Sequence, residues 1–106
     1  MRTLLLAAAL FAPLPAAAQD VTCPRAPGML AGPFVRDEDI AVAIFNAVAD
    51  PLAGGEDFTG YQIKAEETRG GRAWRVYHFI PGMRGGGVEM VIDKCTGAIS
   101  NVHYQQ

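Results

Sequence analysis

Between Asp37 and Tyr104 the hydrophobic period changes once, and that change limits the chain to a helix followed by a small antiparallel sheet. Ahead of the change, Ile40, Ala41, Ile44, Phe45, Val48 and Leu52 recur at helical spacing. Asp37-Glu38-Asp39 precedes them, offering a cap and two first-turn acids that complement the positive end of the helix dipole. The spacing predicts a helix from about Glu38 to Ala49, stopped by Pro51 because the residue before a proline avoids helical angles.

Beyond Gly54-Gly55 the period is two. Tyr61, Ile63 and Ala65 alternate with Gln62, Lys64 and Glu66, and Gly70-Gly71 suits the positive φ angles of a two-residue hairpin turn. Pairing outward from that turn sets Thr68 against Ala73, Glu66 against Arg75, Lys64 against Tyr77 and Ile63 against His78. One face then carries Tyr61, Ile63, Ala65, Trp74, Val76, His78 and Ile80; the other carries Gln62, Lys64, Glu66, Arg75, Tyr77 and Phe79. A third strand is expected over Val88–Asp93 and a fourth from Ala98 to about Tyr104. The turn Lys94-Cys95-Thr96-Gly97 reads as a three-residue hairpin with a bulge, pairing Ile92 with Ser100, Met90 with Val102, Val88 with Tyr104 and Glu89 with His103. A four-residue loop would shift that register and reverse the faces of the last strand. The expected fold class is α+β, one helix packed on a four-stranded antiparallel meander.

The amino-terminal stretch has a different logic. Arg2 is followed by an apolar run from Leu4 to Phe11, then Pro13, Pro15 and the small residues Ala16-Ala17-Ala18. This is the order of a secretory signal peptide over residues 1–18, and the run falls short of the ~20 apolar residues that span a bilayer. The expected product begins at Gln19 and is periplasmic or secreted. It carries no membrane anchor, since Asp20-Val21-Thr22 lacks the small residues that precede a lipidated cysteine. Residues 19–36, broken by Pro24, Pro27, Gly28, Gly32 and Pro33, read as an extended arm, and residues 37–106 as the helix-on-sheet domain.

A domain of this size has a marginal core, so a covalent staple matters. Cys23 and Cys95 are its only cysteines, and in an oxidising compartment they are expected to form a disulfide. Two sulfurs alone cannot complete a zinc shell, and spacings such as His-Glu-x-x-His are absent, so neither metal nor cofactor is expected. Loss of Arg2 with the leader takes the formal charge of −2 one unit lower, a mild acidic balance that argues against nucleic-acid or anionic-membrane partners.

The segments DEDIAVAIFNAV, AWRVYHFIP, GGGVEMVIDKCTGAI and NVHY resemble the short secreted members of the bacterial nuclear transport factor 2-like fold immunity proteins. The resemblance implies a cystatin-like helix on a sheet and protection against a toxin domain. His78 and the cysteine pair depart from that family's usual pattern. A weaker resemblance is to PepSY-type periplasmic domains, whose strands also end in an Asp-x-x-Thr-Gly turn.

Two kinds of site are open. The hairpin register sends Tyr77 and Phe79 to the face bearing Lys64 and Arg75, a natural contact patch for a protein partner with Arg84 at its rim. The alternative to exposure is that Met29, Leu30 or Phe34 of the arm covers those rings. A small acid/base enzyme built on Glu89 and His103, or on His78, is the competing class. Against it stand the ordinary roles of a surface ion pair and of a hydrogen-bonded core histidine. Trp74 reads as core, and Gly85-Gly86-Gly87 as a strand connector, because no helix or Lys-Ser/Thr completes a phosphate loop.

Overall fold

A computed structural model describes residues 21–52, 54, 58–83 and 86–105. The expected signal peptide and Arg84 lie outside the described residues. The element order is α1 (Glu38–Leu52), β1 (Gln62–Thr68), β2 (Ala73–Phe79), β3 (Val88–Asp93) and β4 (Ile99–Tyr104). The strands form one antiparallel meander in the order β1-β2-β3-β4. One helix on a four-stranded sheet is the α+β architecture expected from the period change.

Helix α1 starts where its cap places it. The Asp37 carboxylate accepts a hydrogen bond from the Ile40 amide at 3.0 Å, and the Asp37 carbonyl accepts from Ala41. The helix does not stop before Pro51; it runs through it to Leu52. Proline there removes the amide that would bond the Ala47 carbonyl four residues back, and Ala47 is exposed, so water can satisfy the freed oxygen. Ala41, Phe45 and Ala49 form the buried stripe, with Ile40, Val42, Ile44 and Val48 half-buried beside them.

The stripe packs on Ala65, Trp74, Val76, Val88, Met90 and Ile92, the inward residues of three strands. α1 touches β1, β2 and β3 and does not reach β4. Ile99, Val102 and Tyr104 of the edge strand are therefore left at 37%, 41% and 46% exposure.

The β1–β2 register is the expected one, from Thr68↔Ala73 to Ile63↔His78. Gly70 and Gly71 take φ angles of 66° and 87°, and the Arg72 amide closes the turn on the Arg69 carbonyl at 3.3 Å. The second hairpin differs from expectation. Its loop has four residues, because Asp93 and Ala98 close it and Ile92 pairs with Ile99 rather than Ser100. The Asp93 carboxylate holds this loop by accepting from the amides of Cys95 and Thr96 and from the Thr96 hydroxyl. A register shift between Glu89 and Val91, with Asn101 at φ 54°, then inserts one extra residue into β4. The bulge restores the expected pairs Glu89↔His103 and Val88↔Tyr104 beyond it.

Cys23 and Cys95 are joined, with Cα atoms 5.5 Å apart and a sequence separation of 72. Val35 carries the arm into the core: its amide donates to the Lys94 carbonyl at 3.0 Å, and its carbonyl accepts from Trp74 Nε1 at 2.9 Å. Lys94 is buried beside Trp74, its ammonium 4.6 Å from the ring centroid and paired with Glu67. A buried cation is tolerable here because a carboxylate and an aromatic face both meet it.

Candidate binding face

Strand alternation decides what faces away from α1. The outward set includes Lys64 and Glu66 on β1, Arg75, Tyr77 and Phe79 on β2, Glu89 on β3 and His103 on β4, with Ala73 and Val91 buried on the same face, all fixed by the observed pairings. Residues 75, 77 and 79 form one row along β2. The Arg75 guanidinium lies over the Tyr77 ring at 4.2 Å from its centroid, and the Tyr77 and Phe79 rings are 6.1 Å apart.

Arg75 is not a free cation. Its Nε and Nη2 donate to the two carboxylate oxygens of Glu89 at 3.0 and 2.9 Å, and Nη1 donates to Glu66 at 2.7 Å. This bidentate grip, reaching diagonally to β3 and directly across to β1, fixes the planar head in one orientation. The hydrogen bonds to Glu89 raise the guanidinium pKa above its ordinary value, partial burial opposes them, and Glu66 adds to the rise. Lys64 opposite Tyr77 is exposed. The patch thus offers one exposed lysine and one neutralised, oriented arginine beside its aromatics, where the sequence suggested two cations.

The arm does not cover these rings. Met29, Leu30 and Phe34 are 70%, 84% and 48% exposed. They line a shallow groove with Cys23, Cys95 and Thr96 at the β3–β4 turn, which adjoins Arg72 through the Lys94 amide. Phe79 lies at the opposite end of β2, seven residues or roughly 23 Å along the strand. Tyr77 and Phe79 are half-buried by their neighbours on the sheet itself.

The acid/base candidates are brought near one another but not into a working pair. His103 Nε2 is 4.0 Å from Glu89 Oε2, beyond hydrogen-bond reach. The other ring nitrogen is 2.7 Å from the Asn101 carbonyl, an acceptor, so Nδ1 carries the proton. Both Glu89 oxygens accept hydrogen bonds from Arg75, so the carboxylate is engaged on the β2 side.

His78 faces the core, at 5% exposure. It stacks on Phe58 at 4.3 Å between ring centroids and makes T-shaped contacts with Phe45 and Tyr61 at 4.8 and 5.6 Å. Its Nδ1 accepts from the Val88 amide at 3.0 Å. Gly87 closes over it so tightly that a Cβ there would be driven into the His78 side chain. The connector role expected for the glycines acquires a specific cause at this position.

Sequence reasoning missed Glu89 as the second jaw on Arg75 and Phe58 as a wall beside His78, whereas it had set Tyr61 on the same face as His78, where the two rings meet. The Glu66–Arg75 contact was legible from the hairpin register; the diagonal one was not. Among the described residues no cluster of three or more His, Cys, Asp or Glu side chains could hold a metal ion. No described helix is long and apolar enough to cross a membrane. No family model matches the chain, and no curated protein or solved structure is found similar to it.

Proposed function

We propose that this chain is an exported, non-catalytic binding module that holds a protein partner on the sheet face bearing Lys64, Arg75, Tyr77 and Phe79. The observation that carries the reading is the row Arg75–Tyr77–Phe79, stacked along β2 and covered by neither α1 nor the arm. Tyrosine and arginine are the side chains that dominate interface energies, and those whose rotamers are already held lose less entropy on binding. The clamp on Arg75 supplies that restraint without a partner present. In this reading the frame is of the cystatin-like or nuclear transport factor 2-like kind, and the role is of immunity type, capture and inhibition of a toxin or another exported protein. Arg84 belongs to the proposed rim.

The double variant Tyr77→Ala, Phe79→Ala tests it. Capture of a partner from periplasmic extract by the immobilised mature domain should be lost, while unfolding stability falls by less than about 2 kcal/mol, since both rings are half-exposed. Unfolding of the double variant would show the rings to be core and the site wrong. Turnover of any substrate that disappears with His103→Ala or Glu89→Ala would move the protein to the acid/base class instead.

A further inference from the structure

The amino end of β3 and the carboxy end of β4 are fastened at one place, and the fastener is a histidine. Val88, the first residue of β3, donates its amide to His78 Nδ1 at 3.0 Å. The Gln105 amide donates to the Gly87 carbonyl at 2.8 Å and the Gln105 carboxamide to the His78 carbonyl at 2.6 Å. The Tyr61 hydroxyl donates to the Gly86 carbonyl at 3.3 Å. One of these bonds, that from Val88, is made to the imidazole itself, and only an unprotonated Nδ1 can accept it.

We propose that this junction is a proton-operated latch: neutral His78 holds Gly86–Val88 against β2, and protonation of the ring releases that segment. The geometry supplies the conflict. An imidazolium donates from both nitrogens, so its Nδ1–H would point at the Val88 N–H, two donors facing each other. The new charge would also be enclosed by the Phe45, Phe58 and Tyr61 rings, away from water. Releasing Gly86–Val88 relieves both, because it takes away the facing amide and admits water. The glycines suit such a motion. Gly87 has no side chain to drag past His78, and Gly86, at φ 94°, rests its backbone on the Tyr61 hydroxyl.

The groups around the ring set the direction. Burial lowers the His78 pKa from 6.5, and the negative charge of Asp50, on the last turns of α1, partly offsets this. Phe45 on α1 and Phe58 ahead of β1 carry no charge, and Tyr61 turns its ring to the imidazole while its hydroxyl donates to Gly86. Glu89 points to the opposite face of the sheet, where Arg75 holds it. The closed state therefore binds the proton less readily than the open one, so opening is suppressed at and above pH 7 and grows as pH falls below about 6.5.

The test is amide hydrogen exchange of the mature domain at pH 7.5 and 5.0, corrected for intrinsic rates, with NMR of the His78 ring nitrogens. The ring should be the Nε2–H tautomer at pH 7.5. Protection of the Val88 and Gln105 amides, taken relative to the rest of β3, should fall on the order of tenfold at pH 5.0. In His78→Gln, whose carboxamide oxygen accepts without titrating, that relative loss should vanish. Val88 protection that tracks the rest of β3 at both pH values would overturn the latch. So would a ring that carries its proton on Nδ1, or a pH response that survives in His78→Gln. Should that variant fail to fold, the wild-type tautomer and protection ratio decide the question alone.

Discussion

Phe45→Ala should remove about 3–5 kcal/mol of unfolding free energy, enough to leave the domain largely unfolded near physiological temperature. Phe45 is fully buried at the centre of the α1 stripe, its ring in a T-shaped contact with His78 at 4.8 Å between centroids. It is the largest side chain that α1 buries, so truncation leaves a cavity that Ala41 and Ala49 are too small to fill. Phe45→Leu keeps most of the volume and should cost no more than about 1.5 kcal/mol. Urea titration of the three proteins checks both values. A loss under about 1 kcal/mol for the alanine variant would mean that the helix is not seated on the sheet through this ring.

Removal of the disulfide is expected to have an effect of similar size. Cys23 and Cys95 close 72 residues, and the chain-entropy model gives roughly 4 kcal/mol for a loop of that length. The consequence should be local as well as global. The arm re-enters the domain by hydrogen bonds at Val35; among the described residues, the backbone bond upstream of it is the local one from Met29 to Ala26. In Cys23→Ser, Cys95→Ser the segment before Val35 should therefore come away while the sheet persists. Melting temperature reads the first effect. Tryptic cleavage after Arg25 under native conditions reads the second, and should accelerate at temperatures where the wild-type domain resists it. A variant that melts with the wild type and is cut no faster would show that the bridge adds nothing to the packing around Val35.

The pairing of the first hairpin was legible in the sequence because everything that determines it is local. Gly70 and Gly71 tolerate the positive φ angles of the turn, and once the turn is placed the strict period of a strand assigns every side chain from Ile63 to Phe79 to a face. Asp37 as the helix cap was legible for the same reason, since a cap acts over three residues. The second hairpin was not. A three-residue and a four-residue loop are both compatible with Lys94-Cys95-Thr96-Gly97, and the chain takes the longer loop because Asp93 binds two amides and a hydroxyl within it. The bulge at Asn101 then returns Glu89 and His103 to opposition, so the expected pair arises through a register the turn signal alone did not indicate.

The helix end shows the opposite limit. Pro51 forbids one hydrogen bond, but whether that ends a helix depends on whether the orphaned Ala47 carbonyl meets water or apolar side chains, and local sequence does not contain that information. The same distinction separates the site residues. Which side chains stand on the open face of the sheet was determined by the sequence itself, through alternation from a recognisable turn. That Arg75 is gripped by Glu89, that the arm stays at the far end of the sheet, and that His78 receives the Val88 amide inside an aromatic cage were decided by tertiary structure. Each of these joins residues on different elements, and their separation in space follows from strand order and helix placement, not from any spacing along the chain.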